Sequence, residues 1–335
     1  MSTGLITTVA GTGFQNYSGD GGIATSATLS YPGGLAVDKF GNIFIADGVN
    51  GRIRKVLVST GIITTIAGWD YHGYKSDNVP AKNAPLNDPS DVAVDTNGNI
   101  FIADRGNNRI RKVTADTGII TTVAGDGTSS YCVPCHMSGG MAIYVSVTKP
   151  EGVAVDTSGN IFIVEWYNSR IRKVTASTGI ITTVAGTVNG FSGDGYAATY
   201  AELDHPTKLC LDAAGNIYFA DSHNFRIRKI TVSTGIITTV AGNGSAYLRR
   251  GDRSWGIIEN WGSATATPLY YPNAVAIDYL GNIYLTDRRI IVRKVTFNTP
   301  RTPATQSSGT ARSAVACHSS LIFLISFLTL TFYLC

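Results

Sequence analysis

The stretch Asn42-Ile-Phe-Ile-Ala-Asp47, followed by Arg52-Ile-Arg-Lys-Val56 and Gly61-Ile-Ile-Thr-Thr-Ile-Ala-Gly68, decides the fold. Each run is short, rich in β-branched and aromatic residues, and bounded by Gly, Asn, Asp or Ser, which is typical of β-strands joined by tight turns. The preceding run, Gly34-Leu-Ala-Val-Asp38, completes a meander of four antiparallel strands. Its spacer Asp38-Lys-Phe-Gly41 predicts a hairpin turn, because Asp can bond the turn backbone and Gly can take a positive φ.

This meander recurs along the chain, and the recurrence sets the architecture. Five prolines each open a copy, at intervals of 57, 61, 56 and 66 residues: Pro32, Pro89, Pro150, Pro206 and Pro272. A period in this range indicates a solenoid, a propeller or an array. The second strand of the first copy is apolar at consecutive positions, from Ile43 to Ala46, which favours a strand covered on both faces. A β-propeller provides that cover because each blade lies between two others.

The two ends of the repeated region complement each other. We name the strands of one blade a to d from the central channel outward. The last copy has strands a to c, from Val275 to Val295, and lacks a strand d, whereas Ser2 to Gly11 matches Ser177 to Gly186 nearly residue for residue. Pairing of the termini would complete the last blade and remove open sheet edges. We therefore predict an all-β propeller of five four-stranded blades closed by the N-terminal strand, or of six blades if sequence precedes Met1.

Composition agrees with this fold and excludes others. The chain has 335 residues, a net charge of +4 and 15% charged residues, and it holds 4 Glu and 2 Gln against 19 Asp. Helices draw on Glu and Gln whereas Asp and Gly serve turns, which argues against an all-α or βαβ protein. An apolar fraction of 44% excludes wholesale disorder. So small a net charge provides no electrostatic case for a nucleic-acid partner.

The repeated motifs resemble NHL repeats. These motifs are Pro-x-x-x-Ala-Val-Asp, Gly-Asn-Ile-Tyr/Phe-Ile-Ala-Asp, Asn-x-Arg-Ile-Arg-Lys-Val and Gly-Ile-Ile-Thr-Thr-Val-Ala-Gly, and the similarity covers residues 2–296. The variety is the long-loop one found in the propeller of teneurins. The resemblance implies a propeller but leaves the activity open, because NHL relatives include an amidating lyase, lactonase-like enzymes, RNA-binding regulators and extracellular adhesion modules.

Most groups that could carry chemistry repeat with the fold, which favours structural roles. The pairs Asp47/Arg52, Asp104/Arg109 and Asp221/Arg226 recur in successive blades, whereas a catalytic site should break the symmetry. The Arg-Ile-Arg-Lys copies are spread around the ring and balanced by Asp, so an RNA-binding regulator is a weaker alternative. The five His form no repeating cluster, and no symmetry-breaking set of metal ligands stands out on the strand a positions. We predict no catalytic residue, no metal and no cofactor; the alternative is a lactonase- or lyase-like enzyme with a channel metal.

The segment Cys132-Val-Pro-Cys135-His136 has the form of a c-type haem attachment motif. It lies, however, in a connecting segment of 24 residues, with no helical domain to enclose a porphyrin. A zinc site would need further ligands at suitable spacing. The interpretations that remain are a local disulfide between Cys132 and Cys135, or two loop cysteines without a special role.

Tryptophan marks the predicted binding face. Because b–c turns and d–a connections emerge at the same end of a propeller, all four Trp are expected at one end. Binding hot spots are enriched in Trp, Tyr and Arg, and binding residues favour loops on rigid scaffolds. We predict a non-enzymatic scaffold whose protein- or glycan-binding face includes Trp69, Trp166, Arg249, Arg250, Arg253, Trp255 and Trp261. In the competing interpretation these Trp simply pack the long connections onto the blades.

The composition changes after the propeller, which is predicted to span residues 1–298. Residues 299–320 are rich in small and polar residues and are predicted to form a Pro/Ser/Thr-rich linker. Residues 321–335 are apolar to the last position but fall short of the ~20 residues that span a bilayer. This layout favours a GPI-attachment signal, with Ser307 or Ser308 as attachment site, or else a short membrane anchor. We therefore expect membrane attachment at the cell surface, although no signal peptide is visible at Met1.

Overall fold

The computed structural model describes residues 7–69, 72–129, 138–245, 262–287 and 291–296. It is a β-propeller of five blades, each an antiparallel sheet, and the described residues contain no α-helix. The prediction of an all-β propeller is confirmed. Four blades have strands a to d, and the fifth has strands a to c among the described residues.

Strands follow chain order within each blade, from a at the channel to d at the rim. The first blade comprises β1 (Pro32–Val37), β2 (Ile43–Asp47), β3 (Arg52–Leu57) and β4 (Ile62–Ala67). The second comprises β5 (Val79–Pro80), β6 (Pro89–Val94), β7 (Ile100–Asp104), β8 (Arg109–Val113) and β9 (Ile119–Ala124). The third comprises β10 (Gly140–Met141), β11 (Pro150–Val155), β12 (Ile161–Glu165), β13 (Arg170–Val174) and β14 (Ile180–Ala185). The fourth comprises β15 (Pro206–Leu211), β16 (Ile217–Asp221), β17 (Arg226–Thr231) and β18 (Ile236–Ala241), and the fifth β19 (Pro272–Ile277), β20 (Ile283–Asp287) and β21 (Ile291–Val295).

The a–b hairpins have the predicted turn chemistry. Oδ1 of Asp38 accepts the backbone N–H groups of Phe40 and Asn42, each at 2.9 Å, and Gly41 takes a φ of 83°. The side-chain oxygen of Asn42 accepts the N–H of Val58 at 3.2 Å, which ties this hairpin to the c–d turn of the same blade. The same turn bonds recur at Asp95, Asp156, Asp212 and Asp278.

The hydrophobic core lies between blades. Strand b is buried along its whole length in the first four blades, as the consecutive apolar positions predict. Its side chains alternate between two interfaces. Phe44 and Ala46 pack towards blade 2 with Ile102, whereas Ile43 and Ile45 pack on the other face of blade 1.

Residues near the start of the chain make the contacts that the end of strand d makes in other blades. Val9 and Ala10 pack against the core of blade 1, as Ile66 and Ala67 do against blade 2. The N–H of Gly11 donates to Ala24 O at 2.9 Å, and that of Gly68 donates to Ala81 O at 3.0 Å. Residues 1–6 lie outside the described part and residues 7–10 form no strand, so pairing of the N-terminal segment with blade 5 stays a prediction.

In blades 1 to 4, the d–a connection runs along the outer edge of the blade that it enters. It adds a fifth strand there in blades 2 and 3, where β5 pairs with β9 and β10 with β14. Single bridges, Ile23 to Ile62 and Ala197 to Ile236, serve the same purpose in blades 1 and 4. The exposed backbone of strand d is thereby covered, which protects the sheet edge from pairing with other chains.

Candidate functional site at the mouth of the channel

The inner strand of every blade is entered through a residue with a left-handed backbone. These residues precede the repeated prolines and have φ between 47° and 50°: Tyr31, Asp88, Lys149, His205 and Tyr271. This conformation is uncommon outside Gly, so the surrounding structure must hold it. The five positions share one backbone conformation but carry four different kinds of side chain. They lie at the end of the propeller that carries the b–c turns, which we call the mouth face.

A buried carboxylate at the end of strand b holds this backbone. Asp47 accepts the N–H of Ser30 at 2.7 Å and the side-chain N–H of Asn50 at 2.9 Å. It also forms an ion pair with Arg54 at 3.4 Å. The same three bonds recur around the equivalent carboxylates Asp104, Glu165 and Asp221. Burial raises the pKa of Asp104 and of Asp221 to about 6.

The structure assigns the ion pair to a different arginine from the one that the sequence suggested. Asp47 lies opposite Arg52 in the strand register, yet the pair that the structure shows is with Arg54. Both arginines lie on the same face of strand c, because they are two residues apart. Arg54 is fully buried beside Asp47, whereas the guanidinium of Arg52 lies 3.6 Å from the ring centre of Tyr17.

The buried arginine also fastens the d–a connection to the blade. Arg54 Nη2 lies 2.8 Å from Asp20 Oδ1 and donates to Ser18 O at 3.0 Å. The segment Ser18-Gly-Asp20 is therefore an anchor for this arginine. We call the buried arginine, its two carboxylates and the aromatic ring the arginine clamp. In blades 1, 2 and 4 it consists of Arg54/Asp47/Asp20/Tyr17, Arg111/Asp104/Asp77/Tyr74 and Arg228/Asp221/Asp194/Phe191.

A pocket of about 360 Å³ opens on the mouth face. Its charged lining consists of Asp88, Arg105, Glu151 and Lys208. Arg105 lies between two carboxylates, with Nη1 2.9 Å from Asp88 Oδ2 and Nε 3.1 Å from Glu151 Oε2. These three side chains are partly exposed, so solvent reaches the rim of the pocket.

A buried lysine joins three blades across the channel. Lys208 of blade 4 donates to the backbone oxygens of Ser90, at 2.6 Å, and Glu151. Its Nζ lies 3.9 Å from Oδ2 of Asp91, which also accepts the N–H of Val153 at 3.0 Å. Burial raises the pKa of Asp91 to about 6, although the charge of Lys208 opposes this shift.

Asp91 and Lys208 break the symmetry of the strand a positions, although they are an ion pair and not the set of metal ligands for which the sequence analysis searched. They occupy the second position after the repeated proline, where blades 1 and 3 have Gly34 and Gly152. A Cβ at Gly34 would lie 1.7 Å from Asp91 Oδ1, so glycine leaves the space that the carboxylate fills. The pairing escaped sequence analysis because 117 residues separate the two partners along the chain.

Six rings form a continuous row across the mouth face from blade 3 to blade 5. Centroid distances are 4.5 Å from Trp166 to His205, 4.3 Å from His205 to His223, and 5.2 Å from His223 to Tyr271. Phe225 and Tyr270 each lie 4.9 Å from Tyr271. Tyr167, which is 42% exposed, flanks Trp166 at 6.2 Å. We call Trp166, His205, His223, Tyr271, Phe225 and Tyr270 the aromatic row.

Two histidines of the row share a carboxylate. Asp204 Oδ1 lies 2.5 Å from Nδ1 of His205 and 3.8 Å from Nδ1 of His223. One potential ligand atom from each of the three residues lies within 4.8 Å of the others, a spacing that suits metal coordination within the described part of the chain. The sequence analysis treated the histidines as scattered, because Asp204-His205 and His223 lie on different strand ends that only the blade brings together.

The predicted binding residues are partly placed. Trp69 follows the end of β4 and is 48% exposed, and Trp166 belongs to the aromatic row in the b–c turn of blade 3. Trp255, Trp261 and the three arginines Arg249, Arg250 and Arg253 lie outside the described residues, so their role stays a prediction. His205, His223, Phe225 and Tyr271 were missed. Aligning the five repeats would have found His205 and Tyr271, since each stands before a repeated proline where the residue type changes from blade to blade.

Other predicted features also lie outside the described residues. These are the possible disulfide between Cys132 and Cys135, the linker 299–320, the attachment residues Ser307 and Ser308, and the apolar segment 321–335. Across the described part of the chain, no helix has the length and apolar character needed to cross a membrane. Cys210, on strand a of blade 4, is buried between blades 4 and 5.

Comparison with known proteins identifies the repeats. The profile described as the teneurin NHL domain matches residues 6–76, and that of the NHL repeat matches residues 86–113 and 148–174. The chain is 33% identical to Teneurin-4 of Mus musculus in an alignment of 261 residues that covers 69% of this chain and 9% of that protein. It therefore spans about a tenth of the length of this relative.

Solved structures share the fold at low identity. A nutrient-binding auxiliary protein from Bacteroides ovatus has a TM-score of 0.54 at 16% identity, with 78% of this chain and 58% of that chain covered. A chain of the nidogen/laminin complex has a TM-score of 0.50 at 17% identity, with 78% and 74% covered. The chain therefore carries an NHL-repeat β-propeller of the teneurin type.

Proposed function

We propose that this propeller is a protein-binding scaffold that acts through its mouth face. The observation that carries the proposal is the aromatic row, which joins three blades into one surface with Trp166 and Tyr167 at one end. Large aromatic side chains dominate the binding energy of protein interfaces, because they bury much area at little cost in conformational entropy.

The charged pocket adds specificity to this surface. Arg105 is held between Asp88 and Glu151 and is still partly exposed, so it can exchange an internal ion pair for one with a partner. Partly exposed charges at a rim steer association more than they add affinity. The segment with Arg249, Arg250, Arg253, Trp255 and Trp261 precedes blade 5 in the sequence, and we propose that it extends the binding face.

The similarity to the teneurins favours a protein partner and a cell-surface location, as does the occurrence of this fold in a complex of nidogen with laminin. A glycan partner is the alternative. We propose that the segment 321–335 attaches the protein to the membrane, as a GPI signal processed at Ser307 or Ser308 or as a short anchor.

A matched pair of variants tests the role of the mouth face. Purified propeller, made multivalent on beads, is applied to arrays of extracellular protein domains and of glycans. Trp166→Ala with Tyr167→Ala should lower partner affinity at least about tenfold, as hot-spot truncation does. The control is Phe40→Ala with Tyr279→Ala, which removes two exposed rings from a–b turns at the opposite end and should leave affinity unchanged. Equal binding by both variants, or capture of glycans alone, contradicts the proposal.

A further inference from the structure

We propose that Asp204, His205 and His223 bind a divalent transition-metal ion of the zinc class on the mouth face of blade 4. Their potential ligand atoms lie within 4.8 Å of one another. The two imidazole rings are stacked at 4.3 Å, and the Nδ1 atom of each ring lies within 4 Å of the same carboxylate oxygen. This inference stands on the cluster alone and does not depend on the proposed binding of a protein.

The backbone brings the three side chains together through two bonds, of which the first recurs in blades 1 to 3 and the second in blades 1 and 2. The N–H of Asp204 donates to the buried carboxylate of Asp221 at 2.8 Å. In turn the N–H of His223 donates to the carbonyl of Asp204 at 3.1 Å, which joins the b–c turn to the start of strand a. His205 has the left-handed backbone of its position, with φ of 48°. The segments that carry the ligands are therefore fixed by the fold, and only the side chains need to adjust.

The side chains at these three positions differ between blade 4 and blades 1 to 3. The equivalent residues are Ser30, Tyr31 and Val49 in blade 1, Asn87, Asp88 and Gly106 in blade 2, and Thr148, Lys149 and Tyr167 in blade 3. None of these sets combines an imidazole with a carboxylate. A side chain needed only for the fold would be expected to repeat, as the arginine clamp does, whereas a site should break the symmetry. Asp204, His205 and His223 meet that criterion.

The donor set selects the kind of ion. Imidazole nitrogen suits zinc, nickel, cobalt and copper, whereas calcium and magnesium require oxygen ligands. A neutral imidazole ligates through the lone pair of Nδ1 with its proton on Nε2, so the ion would replace the present Asp204–His205 hydrogen bond. Bonds of about 2.0 to 2.2 Å need ligand atoms roughly 3.5 Å apart. His223, whose side chain is 40% exposed, can rotate to reach that spacing.

Three protein ligands leave a coordination position open. The side chains of Asp204 and His205 are 28% and 21% exposed, so water reaches the cluster from the mouth face. A site with three ligands and an open position is the arrangement of reactive or exchangeable zinc rather than of a closed structural site. A bound ion would also fix two rings in the middle of the aromatic row.

Zinc titration of the purified full chain tests the site. Every protein used carries Cys132→Ser and Cys135→Ser, so that the Cys-x-x-Cys-His segment cannot supply thiolate ligands. After treatment with EDTA, calorimetric titration with ZnCl₂ should show one saturable ion per chain, and Zn²⁺ should raise the melting temperature by mass action. Titration with MgCl₂ under the same conditions should show no such binding.

Two substitutions assign the binding to the cluster. His223→Gln removes one imidazole from an exposed turn and should abolish stoichiometric Zn²⁺ binding, whereas His72→Gln removes an exposed histidine from elsewhere and should preserve it. An unchanged melting temperature without zinc shows that the variant is folded; if His223→Gln fails to fold, Asp204→Asn provides the same comparison. The proposal is overturned if the parent protein binds no stoichiometric zinc, or if the folded cluster variant binds it with the parent's affinity.

Discussion

The arginine clamp and the mouth face are built on the same blades, but residue types repeat in the clamp and vary on the mouth face. In blades 1, 2 and 4 the clamp keeps the same residue types: a fully buried arginine, a buried carboxylate and an aromatic ring. On the mouth face, the residue before the repeated proline is Tyr, Asp, Lys, His and Tyr in successive blades, on one shared backbone conformation. The same fold thus has one set of positions that repeats and another that varies.

This difference indicates that the clamp serves stability and that the mouth face serves function. An arginine in the clamp has its charge buried against carboxylates, and any substitution leaves a buried partner without compensation. A side chain on the mouth face projects from a backbone that other residues hold, so it can change without loss of the fold. Aromatic rings, histidines and the charged pocket gather on the variable face, which is where we place the function.

Removal of a clamp arginine should produce the largest effect. Arg228→Met leaves the buried Asp221 and the nearby Asp194 without their counter-charge, and should lower the free energy of unfolding by about 3–5 kcal/mol. Arg226→Met is the matched control, because this partly exposed arginine stacks on Phe191 and should contribute only about 1 kcal/mol. Urea unfolding followed by fluorescence measures both values. Equal losses of stability in the two variants would show that the burial of Arg228 does not make it more important for folding than Arg226.

Because of Asp91, the stability of the protein should depend on pH. Burial raises the pKa of Asp91 to about 6 in the folded protein, so its contribution to stability is full below the unfolded value near 3.8 and is lost as pH rises through 6. Asp91→Asn removes this titration. Between pH 4 and 6.5 the free energy of unfolding of the wild type should therefore fall by about 2 to 3 kcal/mol more than that of the variant. Parallel pH profiles of the two proteins would contradict this.

Substitution on the mouth face should have the smallest effect. Lys149→Gly keeps both backbone hydrogen bonds of this position. The N–H of residue 149 donates to Asn108 Oδ1, and its carbonyl accepts the N–H of Trp166. Glycine accepts the φ of 47° without strain but gains entropy in the unfolded chain, so the free energy of unfolding should change by less than about 1 kcal/mol. The same urea titration measures it. A loss as large as that of Arg228→Met would mean that the variable residues also hold the fold.

Much of the fold could be predicted because its causes are local and repeated. The Asp-x-x-Gly-Asn turn closes through bonds within five residues, as at Asp38 and Asn42, and the apolar run Ile43 to Ala46 needs cover on both faces. Five copies of such signals specify a propeller. The sequence also indicated that the arginine–aspartate pairs are structural, but it assigned Asp47 to Arg52 because strand register alone does not show which guanidinium contacts the carboxylate.

The amino-acid sequence by itself determined the strands, the turns, the number of repeats and the family, since each depends on neighbours along the chain. Only the tertiary structure brought Lys208 to Asp91, placed Asp204 and His205 beside His223, and aligned the aromatic row over three blades. These contacts join residues on different strands and blades, and no local pattern encodes which loops will meet once the ring has formed. The physical reason is that successive sequence repeats form blades arranged around one axis, so residues far apart in the chain lie on the same face of the propeller.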